Sequence, residues 1–136
     1  MVMVRSLVNN ESEIFRQRLT ANGAEVDDND FRISNMGTDG DADYDASYPA
    51  VAYSGQDAKH LVVWESNDNT DGEHDIYTQQ LMTTGAAADN NDCRTSDIGP
   101  DGDKNCDAQH LAVVRNGTDN QYLVVWDGDG STSPLW

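Results

Sequence analysis

The chain has 136 residues, which is enough for one domain with a modest core. It carries 25 acidic and 8 basic residues, which gives a net charge of -17. This charge excludes a nucleic-acid binder that works through basic patches, and it disfavours binding to an anionic membrane surface. No apolar run approaches the roughly 20 residues of a membrane-spanning helix, and the segment Met1 to Val8 lacks the apolar stretch of a signal peptide.

The choice of acidic residue indicates the fold class. Asp outnumbers Glu by 20 to 5, and Asp favours turns because its side chain competes for backbone hydrogen bonds. The apolar residues fall in short Val-, Tyr- and Trp-containing runs bounded by Asp, Asn and Gly, which is typical of strands. No segment keeps a 3.6-residue period over three turns. The sequence therefore predicts an all-β protein, and the aromatic-bearing runs argue against disorder.

Eight strands are predicted, four in each half of the chain. In chain order they are residues 13–19, 30–34, 49–53, 60–64, 75–81, 92–96, 111–115 and 122–126. The alternation from Glu13 to Leu19 favours a half-exposed strand, whereas the continuous run Leu61-Val-Val-Trp64 favours a strand buried on both faces. Short loops at 54–57 and 116–119 predict hairpins between the strands that flank them.

The two halves of the chain are copies of one unit. At an offset of 62 residues, Leu61-Val-Val-Trp64 matches Leu123-Val-Val-Trp126, and about 24 of 55 aligned positions are identical. Chance does not supply this identity in a single register. We therefore expect one domain over residues 1–136, made of repeats at about 13–67 and 75–129 with short terminal extensions.

The repeated motifs resemble a known type of unit. They read Pro-Ala-Val-Ala-Tyr, then Leu-Val-Val-Trp, then Asp-Ile-Tyr-x-Gln-x-Leu, then x-Arg-Ile-Ser. This order is similar to that of repeats in large bacterial surface and secreted proteins, which resemble the sialidase-type blade of a β-propeller. The resemblance covers residues 13–129 and implies four antiparallel strands per blade. The Asp-box, the arginine cluster and the Tyr-Glu pair of sialidases are absent, so it implies fold without activity.

The predicted strands are out of phase with a blade. The chain begins with the third and fourth strands of one blade (13–34), continues through a full blade (48–96), and ends with the first and second strands of another (110–126). Two blade equivalents cannot close a propeller, and unpaired edges invite aggregation. We therefore expect a homo-oligomer to complete the ring, a trimer in preference to a dimer. A compact two-repeat monomer and a fragment of a longer repeat protein are the alternatives.

Two acidic loops are candidate Ca²⁺ sites, because their carboxylates alternate in the spacing D-x-[DN]-x-[DN] that lets one turn offer several oxygens. The candidate ligands are Asp39, Asp41, Asp43, Asp45, Asp101, Asp103, Asn105 and Asp107. Tyr44 and Cys106 stand where an EF-hand loop has glycine, and no glutamate follows, so a solvated acidic turn is an equal alternative. A second acidic tract, residues 67–75, is interpreted as a hydrated loop in preference to a bridging cation site.

The two cysteines, Cys93 and Cys106, stand where the other repeat has Phe31 and Tyr44. Because two aromatic rings at these positions are expected to pack together, we expect the cysteines to be neighbours and to form a disulfide. Two independent buried thiols are the alternative. A disulfide implies an oxidising compartment, and we therefore expect an extracellular or cell-surface protein, although this chain shows no signal peptide.

The sequence predicts no enzyme. It contains no G-x-S-x-G, H-E-x-x-H, P-loop or dinucleotide motif, and its three histidines, His60, His74 and His110, have no histidine counterpart in the other repeat. We expect a non-catalytic acidic binding module that recognises carbohydrate or another surface. The tyrosines Tyr48, Tyr53 and Tyr77 are candidates for stacking on sugars, although a core or sheet-surface role is favoured for each. The alternatives are a structural fragment or cap of a larger surface repeat protein and, less favoured, a glycosidase-like hydrolase.

Overall fold

The computed structural model describes residues 2–6, 11–27, 30–67, 72–90, 92–100 and 103–129, and of residues 2–6 it describes only the backbone. The strands in this part of the chain are β1 (Val2–Ser6), β2 (Ser12–Arg16), β3 (Phe31–Arg32), β4 (Ala46–Ser54), β5 (Lys59–Ser66), β6 (Asp75–Met82), β7 (Cys93–Arg94), β8 (Ala108–Asn116) and β9 (Gln121–Gly128). A 3-10 helix at Ala42–Tyr44 precedes β4. The described chain is therefore all-β, as predicted, and it contains no helix long and apolar enough to cross a membrane.

The strands form three antiparallel sheets. The first sheet has the order β1-β2-β3, the second has the order β4-β5-β6-β7, and the third is the hairpin β8-β9. Among the described residues, only the second sheet has four strands in the order that the resemblance implies for a blade. The described residues form neither a closed barrel nor a ring of blades.

Strands β3 and β7 are only two residues long, although five were predicted for each. The cause is a serine that follows each of them. The Ser34 hydroxyl accepts the backbone N–H of Ile14 at 2.8 Å, and the Ser96 hydroxyl accepts that of Ile76 at 2.9 Å. A side chain that takes a backbone donor in this way competes with the strand ladder, so the regular pairing ends there.

Strand β1 was not predicted. It pairs with β2 so that Met3 lies opposite Phe15, just as Trp64 of β5 lies opposite Tyr77 of β6. In the first sheet, β1 therefore has the place that β5 has in the second sheet. It fills the edge of β2, at which a strand of another subunit was expected to complete the ring.

The core lies between the first and second sheets. Ile14 of β2 and Ile33, the residue after β3, lie on the side of the first sheet, and Val62, Trp64 and Tyr77 come from the second sheet. The rings of Trp64 and Tyr77 are stacked, with their centroids 6.4 Å apart. Leu61 to Trp64 are all buried, which confirms the prediction of a strand covered on both faces. Strand β8 contacts β4, β5 and β6, so the hairpin covers the second sheet as a third layer.

The duplication extends to the backbone hydrogen bonds. The N–H of Thr20 donates to Ala24 O at 2.8 Å, and 62 residues on, the N–H of Met82 donates to Ala86 O at 2.8 Å. A bulge interrupts β4 between Ser47 and Ala50 and interrupts β8 between Gln109 and Ala112. The repeat is therefore a duplication of structure as well as of sequence.

Candidate functional site

The rare glutamates of this chain lie inside the protein. Glu11 and Glu13 are 0% exposed, Glu65 is 3% exposed and Glu73 is 1% exposed. Only Glu25 is exposed. Burying a carboxylate costs free energy unless hydrogen bonds or a cation compensate it. The buried glutamates, rather than the abundant aspartates, therefore mark where acidic groups are held away from water.

Three carboxylates converge at the start of β2. Glu11 and Glu13 stand two residues apart, so an extended chain directs them to one side. The loop after β3 returns to this side and brings Asp39 with it. One carboxylate oxygen from each of Glu11, Glu13 and Asp39 lies within 4.8 Å of the other two. We call this group the acidic cluster.

Of the three residues of the acidic cluster, Glu13 has the most hydrogen-bond and ion-pair partners. It accepts hydrogen bonds from the Ser34 hydroxyl and, at 3.3 Å, from the N–H of Met36. The Arg32 guanidinium lies 3.1 Å from Glu13 Oε1 and 2.7 Å from Asp39 Oδ1. Burial nevertheless raises the pKa of Glu13 to about 7, with the Ser34 hydrogen bond and the charge of Arg32 opposing the shift.

Glu11 is less completely satisfied. Its Oε2 accepts the N–H of Gly40, the residue after Asp39, so its carboxylate lies against the loop. Its Oε1 is buried and has no hydrogen-bond partner among the described residues. A buried acceptor without a partner is rare in folded proteins, so this oxygen is a candidate ligand for an ion or a water.

The second unit repeats most of this arrangement. Asp75, 62 residues after Glu13, accepts the Ser96 hydroxyl at 2.6 Å and lies 2.9 Å from Arg94 Nε. Glu73, the counterpart of Glu11, is buried as well. Asp101, the counterpart of Asp39, lies outside the described residues. The motif Glu11-x-Glu13, recurring as Glu73-x-Asp75, is the sequence signal that could have located the cluster.

The alternating aspartates of the first loop do not converge as a group. Asp41 caps the 3-10 helix by accepting the N–H of Asp43 at 3.2 Å, and Asp43 itself is exposed. Asp45 accepts the N–H of Ser12 at 2.6 Å. These side chains fix the loop and attach it to β2, while Asp39 alone joins the acidic cluster.

The second loop behaves in the same way. Asp103 accepts hydrogen bonds from the backbone and the side chain of Asn105, and these bonds lower the pKa of Asp103. Asp107 accepts the N–H of His74 at 2.9 Å. Asp103 therefore stabilises the turn of this loop, and Asp107 attaches the loop to the residue before β6.

The expected disulfide is not formed. Cys93 Sγ donates to Asn90 O at 3.3 Å, and Cys106 is buried beside Asp103, to which it donates a hydrogen bond. The premise of the prediction is also wrong. Phe31 is 60% exposed under the guanidinium of Arg16, whereas Tyr44 packs against the core. The two positions face different surroundings, so the cysteines that replace these aromatics need not meet.

Exposed aromatic side chains lie on β4. Tyr48 is 72% exposed, and Tyr53 is 49% exposed with its ring 4.8 Å from that of His60. His60 also lines a cleft of about 490 Å³ between the first and second sheets. Tyr77 is buried in the core and cannot reach a ligand. Tyr48 and Tyr53 are therefore the two candidates that a bound molecule could touch.

Comparison with known protein families, with curated proteins and with solved structures finds no match for this chain.

Proposed function

We propose that this chain is a non-catalytic, acidic binding module made of blade-like units, which is completed by association with further copies of itself. One comparison between equivalent residues supports this proposal. Leu61 and Val63 are 8% and 0% exposed, whereas their counterparts 62 residues on, Leu123 and Val125, are 58% and 50% exposed. The side chains that are buried in β5 are therefore exposed at the equivalent positions of β9.

The layering of the sheets explains the difference. Val62 and Trp64 belong to the core against the first sheet, so Leu61 and Val63 point the other way, toward the hairpin β8-β9. The equivalent face of the hairpin has no covering layer among the described residues. It is an apolar face formed by Ala112, Val114, Leu123 and Val125, which lie opposite one another in the register of the two strands. The corresponding face of the second sheet is covered by the hairpin of the next unit. We therefore infer that another unit of the same kind covers the apolar face of the hairpin.

A second candidate function is a structural unit of a longer repeat series, and strand β1 favours it. Because β1 fills the edge of β2, the first sheet already holds three strands of a four-stranded unit. A strand from another copy could pair with β2 only if β1 were displaced. In a longer series, β1 stays in place and neighbouring units of the same chain complete both ends.

For the ligand we propose carbohydrate. The support is the pair of exposed tyrosines, Tyr48 and Tyr53, since aromatic faces stack on apolar faces of small molecules while the hydroxyl bonds to polar groups. A glycan array tests this directly. We expect binding that is lost in Tyr53→Ala and retained in Tyr122→Phe, whose ring is partly buried on the hairpin. An array without any bound glycan would favour the structural function instead.

The association is tested by the solution mass, measured by light scattering. We expect the natural sequence to have the mass of more than one chain, a trimer in preference to a dimer, because a further copy covers the apolar face of the hairpin. The double variant Leu123→Lys with Val125→Lys should be a monomer, since charges on the exposed face block a second layer. Val26→Lys, at a residue that is 44% exposed in the first unit, is the matched control and should keep the natural mass. A monomeric natural chain would reject self-association.

A further inference from the structure

The acidic cluster contains more carboxyl groups than the basic side chains in the described part of the chain neutralise. Glu11 and Glu13 are fully buried, and Asp39 closes the group from the solvent side. Arg32 contributes a single positive charge, shared between Glu13 and Asp39. Among the described residues, three carboxyl groups face one guanidinium, so ionisation of all three leaves a surplus of negative charge in a place where water provides little screening.

A second observation indicates how this surplus is compensated. The backbone N–H of Gly40 satisfies one oxygen of Glu11, but the buried Oε1 of the same carboxylate has no hydrogen-bond partner in the described part of the chain. Glu11 is 0% exposed, so bulk water does not supply one. The acidic cluster therefore contains a fully buried oxygen whose coordination is incomplete.

The arrangement of the oxygens favours one kind of ion. One carboxylate oxygen from each of the three residues lies within 4.8 Å of the other two, so a single cation can contact all three. Ca²⁺ accepts irregular sets of six to eight oxygens, which waters on the exposed side of Asp39 can complete. Mg²⁺ requires a tighter octahedron and is a poorer fit.

We propose that Glu11, Glu13 and Asp39 bind a calcium ion that fixes the loop of residues 37–41 to the start of β2. The site differs from the alternating aspartates of the same loop, of which only Asp39 contributes. It lies within the first unit, so it does not depend on the association proposed above. The buried pair Glu73 and Asp75, with the same serine and arginine neighbours, shows that such a carboxylate pair is a regular part of the unit.

Calcium binding is tested by titrating the full chain with CaCl₂ in a calorimeter, after treatment with a chelator. We expect saturable binding, and we expect Glu11→Gln and Asp39→Asn each to weaken the affinity about tenfold or more, because each removes one carboxylate ligand. Asp43→Asn removes the same charge from an exposed residue of the same loop and should change the affinity less than about twofold. Mg²⁺ should bind more weakly than Ca²⁺ to the natural chain.

Thermal unfolding gives a second measurement. Ca²⁺ should raise the Tm of the natural chain and of Asp43→Asn but not that of Glu11→Gln, because a ligand that binds only the folded state stabilises it. Asp39 is largely exposed, so Asp39→Asn keeps the test valid if Glu11→Gln fails to fold. The proposal is overturned if the natural chain shows neither heat nor a Tm shift, if Asp43→Asn loses as much affinity as Asp39→Asn, or if Mg²⁺ binds as tightly as Ca²⁺.

Discussion

Two glycines with similar backbone conformations have different surroundings. Gly37 has φ +62° and Gly23 has φ +83°, a region that L-residues with side chains avoid. A methyl group added at Gly37 would collide with the ring of Tyr44, whereas one added at Gly23 would enter open space. The turn at Gly37 precedes Asp39, so its shape helps to position the acidic cluster.

This contrast gives a prediction for a matched pair of variants. Gly23→Ala should lower the free energy of unfolding by about 1–2 kcal/mol, the cost of the left-handed backbone alone. Gly37→Ala should lower it by about 3–5 kcal/mol, because the displaced Tyr44 ring packs against the core. Urea denaturation of both variants measures the difference. Equal losses would show that Tyr44 moves aside freely.

Among the residues of the acidic cluster, the sequence pattern identified Asp39 as a candidate ligand but did not indicate Glu11 and Glu13. The alternation of aspartates within one loop is visible in the sequence, and it predicts a site made by that loop. The observed cluster instead joins this loop to the start of β2, and that contact arises only when the chain folds. Arg32, at the end of β3, and Ser34, two residues later, contact Glu13 only in the folded chain, so spacing could not assign them to the cluster.

Strands β5 and β9 show that one sequence motif can contribute differently to stability when the layers that cover it differ. Both contain Leu-Val-Val-Trp, but β5 is covered on two sides and β9 on one. The motif predicts burial for both strands. Burial is confirmed for β5 and wrong for β9 within the isolated chain, because no layer of the described residues covers the outer face of the hairpin.

The two strands therefore predict unequal costs for one substitution. Leu61→Ala should lower the free energy of unfolding by about 2–4 kcal/mol, because it empties a filled position between two layers. Leu123→Ala should cost less than about 1 kcal/mol in a dilute, monomeric sample. Chemical denaturation over a range of protein concentrations is the measurement. A cost for Leu123→Ala that rises with concentration would add support for association through this face.

Most of the strands could be predicted from local pattern alone, since alternation and bounding turns act within a few residues. Strand β1 could not. It aligns with β5 at an offset of 61 rather than 62 residues, and of its five residues only Val2 matches its counterpart, Val63. Its place is determined by pairing with β2, an interaction that self-comparison of the sequence does not detect.

The whole molecule carries a net charge of -17, and this charge opposes folding. Like charges are brought closer together in the compact state than in the unfolded chain, and dissolved salt screens their repulsion. We predict that raising NaCl from about 10 mM to about 0.5 M raises the Tm, because the screening length falls from about 30 Å to a few ångströms.

Circular dichroism melts in the presence of a chelator measure this effect without any contribution from bound calcium. Sucrose at matched osmolarity serves as the control for a general solute effect. A Tm that is independent of NaCl would mean that the surface carboxylates are already compensated by local contacts such as those of Arg32 with Asp39.

The recurrence of the same hydrogen bonds every 62 residues has an evolutionary consequence. Unequal recombination between the two copies in a gene would insert or delete one whole unit. The contacts between the remaining units would then be of the same kind as those that already exist. The stability of such a series changes in steps, each made of the free energy of one unit and of one interface between neighbours. Lineages that carry this unit can therefore vary in length without evolving a new surface, and the number of units should diverge faster than the residues within them.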